Sequence, residues 1–169
     1  MQDFEIEPYT SLSFSQNLQR NGRFQLPLDI RKLEKMTPSE YLCQYSVVLL
    51  RREALYQTVF KKHKTNENFI PFRRFELAIN DVSICAVGHE DISMLLEVSQ
   101  IKEGTDFSES LFRGVCALAD RLIFSKFVPE DEKILDQKEG VEKADFHSLK
   151  FKLKNVNISS QLKLLLEKL

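Results

Sequence analysis

A chain of 169 residues, 43% hydrophobic and 29% charged, has the size and composition of one ordinary globular domain with or without a tail. Its formal net charge of −1 excludes a molecule governed throughout by attraction to nucleic acid or to acidic membrane. No apolar run approaches the roughly 18 residues of a membrane span, and Met1–Pro8 lacks the apolar core of a secretory signal. The cysteines Cys43, Cys85 and Cys116 are odd in number and lie in apolar runs, so they read as reduced core thiols of an intracellular protein, cytoplasmic or nuclear.

Residues 1–12 scatter Phe4, Ile6 and Tyr9 among polar groups and predict an extended arm, with a single α+β domain over 13–169. Arg23–Ile30 alternates weakly around Pro27 and reads as an edge strand or an irregular segment. Thr37-Pro38-Ser39-Glu40 has the pattern of a capping box with proline in the first turn, so a helix is predicted over about 38–62. Its β-branched and aromatic residues make a strand in Tyr45–Leu50 the competing reading. After a loop at Thr65–Pro71 the period changes to two. Phe75, Leu77 and Ile79 alternate, Val82–Val87 is almost wholly apolar, and Ile92, Met94, Leu96 and Val98 alternate again, with Asn80-Asp81 and Gly88–Asp91 as turns. This predicts a β-meander over about 72–99.

Thr105-Asp106 or Ser108 caps a second helix, about 107–127, which Pro129 ends, and Glu130–Asp145 reads as a charged surface loop. Leu149–Lys154 alternates apolar residues with lysines and predicts a strand at about 147–154 with one wet face. Asn157 then caps a closing helix, about 158–168. The expected fold is a two-layer α+β domain, its mainly antiparallel sheet packed by these helices.

Familiar chemistry has no local signature. His63, His89 and His147 stand apart from one another, and no metal-binding spacing occurs. None of the five glycines forms a phosphate-binding pattern, so no metal or cofactor is expected. Cys85 and His89, four residues apart, suggest a thiol site, but a core thiol beside a turn explains them better. No catalytic residue is assigned.

Two features point to macromolecules. Phe60-Lys61-Lys62-His63-Lys64 and Phe72-Arg73-Arg74-Phe75 interleave aromatic and basic residues, a combination that neutralises phosphates and stacks bases. Lys61, Lys62, Lys64, Arg73 and Arg74 are therefore the nucleic-acid candidates. Candidates for binding another protein are Phe4 and Tyr9 in the arm, Phe69 and Phe72 in an apolar loop, and the stripe Leu162, Leu166 and Leu169 in the closing helix. The expected function is a non-enzymatic interaction subunit (an adaptor, assembly factor or regulatory protein) in a hetero- or homo-oligomeric intracellular complex. The alternatives are a nucleic-acid-binding module on segments 61–64 and 73–74, and a small enzyme or inhibitor whose site is assembled from distant residues.

Overall fold

The computed structural model describes residues 22–83, 87–123 and 146–169. Its elements are a short strand β1 (Gly22–Phe24), a 3-10 turn (Ile30–Lys35), α1 (Pro38–Tyr45), β2 (Ser46–Val48), α2 (Leu50–His63), α3 (Phe72–Val82), α4 (His89–Val98), α5 (Glu109–Leu122), α6 (Leu149–Lys152) and α7 (Ser160–Lys168). The fold is mainly helical, which overturns the two-layer sheet expected from the sequence. Among the described residues the one ladder is β1 against β2, antiparallel, pairing Gly22 with Val48 and Phe24 with Ser46. Residues 1–12, the expected arm, lie outside the described residues, as does the whole of the loop expected at Glu130–Asp145.

Burial explains why the meander over 72–99 is helical instead. In α3 the buried residues are Phe75, Ala78, Ile79 and Val82, a stripe at helical spacing, while Leu77 stands 61% exposed. A strand would have buried Leu77 and exposed Ala78. In α4 the buried set is Ile92, Leu95 and Val98, and Leu95, which a strand would turn to solvent, is fully buried. The polar run expected to be a turn is the start of α4: Gly88 is its N-cap, and Glu90 and Asp91 sit in the first turn, where acids favour the helix dipole. Of the strand expected between them, residues 84–86 lie outside the described set and Val82 ends α3.

The strand expected at about 147–154 is also absent. Leu149–Lys152 makes one helical turn after Ser148 in the left-handed conformation, and Phe151 is 77% exposed while Leu153 is buried. Among the described residues the one ladder is β1 with β2, and no strand pairs with this segment.

The helix expected over 38–62 divides in two. Its start is as predicted: Thr37 caps Glu40 N–H, and the Glu40 carboxylate accepts from Thr37 N–H at 2.7 Å. The helix stops where Ser46 Oγ donates back to the Leu42 carbonyl at 2.6 Å, and the β-branched Val47 and Val48 pass into β2. The helix expected at about 107–127 runs from Glu109, with Ser108 as its cap. The closing helix begins at Ser160, capped by Ser159 instead of Asn157.

The helices pair as two helix–loop–helix units, α2–α3 and α4–α5. Their loops meet in one antiparallel bridge, Ile70 N–H to Phe107 O and Phe107 N–H to Ile70 O, both at 2.9 Å. Phe75 stacks on Phe107 beneath it, with ring centroids 4.3 Å apart and planes almost parallel. Helix α5 is central, largely buried beyond its exposed first turn, and packs on α1, α2, α4 and both strands. It approaches α1 so closely at Gly114 that an added Cβ would lie 2.6 Å from the Leu42 carbonyl oxygen. Helix α7 lies over α1 and α4. Among the described residues no helix is long and apolar enough to cross a membrane.

Candidate functional site

Helix α2 carries Glu53, Tyr56, Gln57 and Phe60 at positions i, i+3, i+4 and i+7, which places all four on one face. That face looks onto the turn from Ser108 to Arg113 at the start of α5. Between them lies a cleft of about 420 Å³, inside the range of sites that hold a ligand or an anchoring side chain. Its floor is apolar and fully buried: Tyr56, Phe60 and Phe112, with the two phenylalanine rings 6.1 Å apart. Its rim is polar, with Glu53, Gln57, Glu109 and Arg113.

Arg113 is held by long bonds, to the Cys43 carbonyl at 3.3 Å and to Glu53 Oε1 at 3.5 Å, and its buried Nε has no hydrogen-bond partner. Burial pushes the Cys43 thiol above its usual range, against the opposing effects of Ser110 and Arg113. A thiol so placed is a poor nucleophile.

Behind the floor, a polar knot ties α2 to α5. Arg52 grips Asp120 with two donors, at 2.6 and 3.3 Å, and Tyr56 donates its hydroxyl to the same carboxylate. The Arg52 guanidinium also lies over the Tyr56 ring, 5.3 Å from its centroid. Burial raises the Asp120 carboxyl above its usual range, opposed by the hydrogen bonds and charge of Arg52. Burial, helped by the Asp120 charge, raises the Tyr56 hydroxyl, which stays protonated and donating. Cys116, fully buried nearby, is likewise pushed well up by desolvation. Each of these groups is locked to a protein partner or sealed from solvent, so the knot holds helices and offers no free acid, base or nucleophile.

The bridged loops invite a test for a metal. A helix–loop–helix unit is the frame in which calcium loops place oxygen ligands, with a left-handed sixth position and a bidentate glutamate at the twelfth. Asn68 is left-handed (φ 68°) in the first loop and Gly104 (φ 82°) in the second. Counting from them, the twelfth positions fall on Arg74 and Ser110, and the first on His63 and Ser99. The Phe69 carbonyl, at the seventh position, accepts instead from Thr65 N–H at 2.8 Å, and Lys64 Nζ bonds the Asn68 side chain. The residues present do not fit calcium, and among the described residues no group of three or more His, Cys, Asp or Glu converges.

The two basic segments read from the sequence do come together, at the end of α2 and the start of α3. Arg74 donates to the His63 carbonyl at 3.3 Å. Lys62 and His63 both reach Asp81 at the far end of α3, at 2.7 and 2.6 Å, and their hydrogen bonds hold its carboxyl below the usual range. Lys61, Lys62, Arg73 and Arg74 are exposed, and Lys64 is half-buried.

The other sequence candidates separate. Phe4 and Tyr9 lie outside the described residues. Phe69 is half-buried beside the bridge, and Phe72 stacks on Phe107 with centroids 6.4 Å apart. Leu162, Leu166 and Leu169 are buried within their own chain. Cys85 also falls outside the described residues, and His89 is exposed in the first turn of α4. Sequence reasoning did not single out the cleft, because its walls come from segments about fifty residues apart. The spacing of Glu53, Tyr56, Gln57 and Phe60 was the local signal available.

No protein-family model, no curated protein and no solved structure matches this chain.

Proposed function

We propose that the chain is a non-enzymatic interaction subunit of an intracellular complex, an adaptor or assembly factor that receives a partner in the α2–α5 cleft. The observation that carries this reading is the cleft itself: preformed, apolar at its floor, polar at its rim, and set in a frame closed by the chain's own bonds. Clefts of this size with an aromatic floor suit an anchoring side chain. The buried ionisable groups beside it are already paired or desolvated, so recognition suits it better than reaction.

The test is site-specific photo-cross-linking. A photoreactive residue replacing Gln57, on the rim, is expected to capture a polypeptide in near-stoichiometric yield. The same residue replacing exposed Ser93 on α4 is expected to capture none. Equal capture from both positions, or none from either, refutes the reading.

A second reading is favoured by the meeting of Lys61, Lys62 and Lys64 with Arg73 and Arg74 at one end of the α2–α3 unit. It makes that end a nucleic-acid surface. Fluorescence anisotropy with labelled duplexes and single strands should then show binding that weakens with salt. Joint neutralisation of Lys61 and Arg73 should reduce it at least about tenfold. Absence of binding at low salt removes this reading.

A further inference from the structure

We infer that the α2–α5 cleft recognises a partner segment in which an apolar anchor is followed closely by a lysine or arginine. The inference rests on the interaction reading and adds to it the chemistry of the partner.

The floor fixes the first half of the rule. Tyr56, Phe60 and Phe112 are each no more than 2% exposed, and they close the bottom of an open cleft with aromatic carbon. This floor offers an entering side chain no free hydrogen-bonding group, so an aliphatic or aromatic tip suits it better than a polar one.

The rim fixes the second half. Two carboxylates, Glu53 and Glu109, face one cation, Arg113. Arg113 reaches inward toward the Cys43 carbonyl and Glu53, so part of its charge is already met within the chain. Glu109 is exposed and makes no ion pair among the described residues. Its place in the first turn of α5 suits the helix dipole, but the dipole leaves the carboxylate oxygens open to a donor. An acidic segment would meet both carboxylates, whereas a basic residue one turn from the anchor would meet Glu109 without desolvating it fully.

The experiment uses the full chain and two short amphipathic peptides with the same leucine and phenylalanine anchors, one flanked by lysines and the other by glutamates. Calorimetry is expected to show the lysine peptide binding at least about tenfold more tightly at low salt. Amide shifts of Gln57 and Ser110 should mark the site. Glu109→Lys is expected to reverse the preference and Glu109→Gln to abolish it, with thermal midpoints near that of the parent because Glu109 is exposed. Equal affinity for the two peptides overturns the charge rule. A preference that survives both Glu109 variants overturns its assignment to this rim. If neither peptide binds while photo-cross-linking at Gln57 still captures a protein, the inference fails and the interaction reading stands. If both are absent, both fall.

Discussion

At the scale of single residues, the Arg52–Asp120–Tyr56 knot carries the largest consequences. The Asp120 side chain is 5% exposed and Arg52 19%. Removing one partner of a buried pair leaves the other without compensation. Asp120→Ala is therefore expected to cost about 3 kcal/mol, toward the lower end for buried pairs because Arg52 can still reach water. Tyr56→Phe removes one hydrogen bond and should cost about 1 kcal/mol. Urea unfolding reads both. The knot also fixes a pH dependence. Because burial raises the folded Asp120 carboxyl, the folded state binds more protons than the unfolded state between the ordinary and the raised values. Stability from this group thus falls as pH rises through that interval, and Asp120→Asn should remove the slope. Asp81 acts in the opposite sense. Hydrogen bonds from Lys62 and His63 lower its carboxyl, so its contribution is present above the ordinary carboxylate value and is lost as pH falls below it. Midpoints measured from about pH 3 to about pH 7 should show a shallower acid-side decline in Asp81→Asn, the part that remains coming from Glu40, whose carboxyl the Thr37 hydrogen bonds also hold low.

At the scale of elements, the close approach of α5 to α1 makes Gly114 the most demanding position. Gly114→Ala would set a methyl against the main chain of Leu42, which cannot move aside as a side-chain tip can. Overpacking of this kind costs about 2 kcal/mol, and it should shift the denaturant midpoint without changing the slope. The last helix has its own fastening. Arg121, 4% exposed, donates from Nε and Nη2 to the main-chain oxygen of Leu169 at 3.1 and 2.7 Å. Arg121→Met should cost about 2 kcal/mol and raise hydrogen exchange in α7 before α1. Which elements could be read from the sequence follows from how local their causes are. The Thr37–Glu40 capping box, the Ser108 cap and the leucine stripe of α7 are decided within a few residues, and each was legible. For α3 and α4, short windows satisfied periods of two and of 3.6 together: Phe75 and Ile79 belong to both, and only the exposure of Leu77 and burial of Ala78 decide between them. That depends on where the neighbouring helices lie. The cleft was illegible for the same reason, since α2 and the start of α5 meet through tertiary packing.

At the scale of the whole molecule, the question is what holds the two helix–loop–helix units in register. In calcium sensors the ion does so, and binding opens the helices to expose a groove. Here the loops are joined by the Ile70–Phe107 bridge, and the carbonyl an ion would use is taken by Thr65. On the other side, among the described residues, α7 covers α1 and α4 with Leu162, Leu165 and Leu166 buried. The arrangement should therefore be independent of divalent cations. A ligand binding only the folded state at a hundred times its dissociation constant would add about 2.7 kcal/mol of stability, a shift easily seen in a thermal scan. Millimolar calcium and excess chelator are expected to give the same midpoint, the same helical circular dichroism and the same exposure of the cleft to an apolar fluorescent dye. A calcium-dependent rise in any of the three would mean that the loops take the ion despite Arg74 and Ser110, and that the cleft is gated instead of preformed.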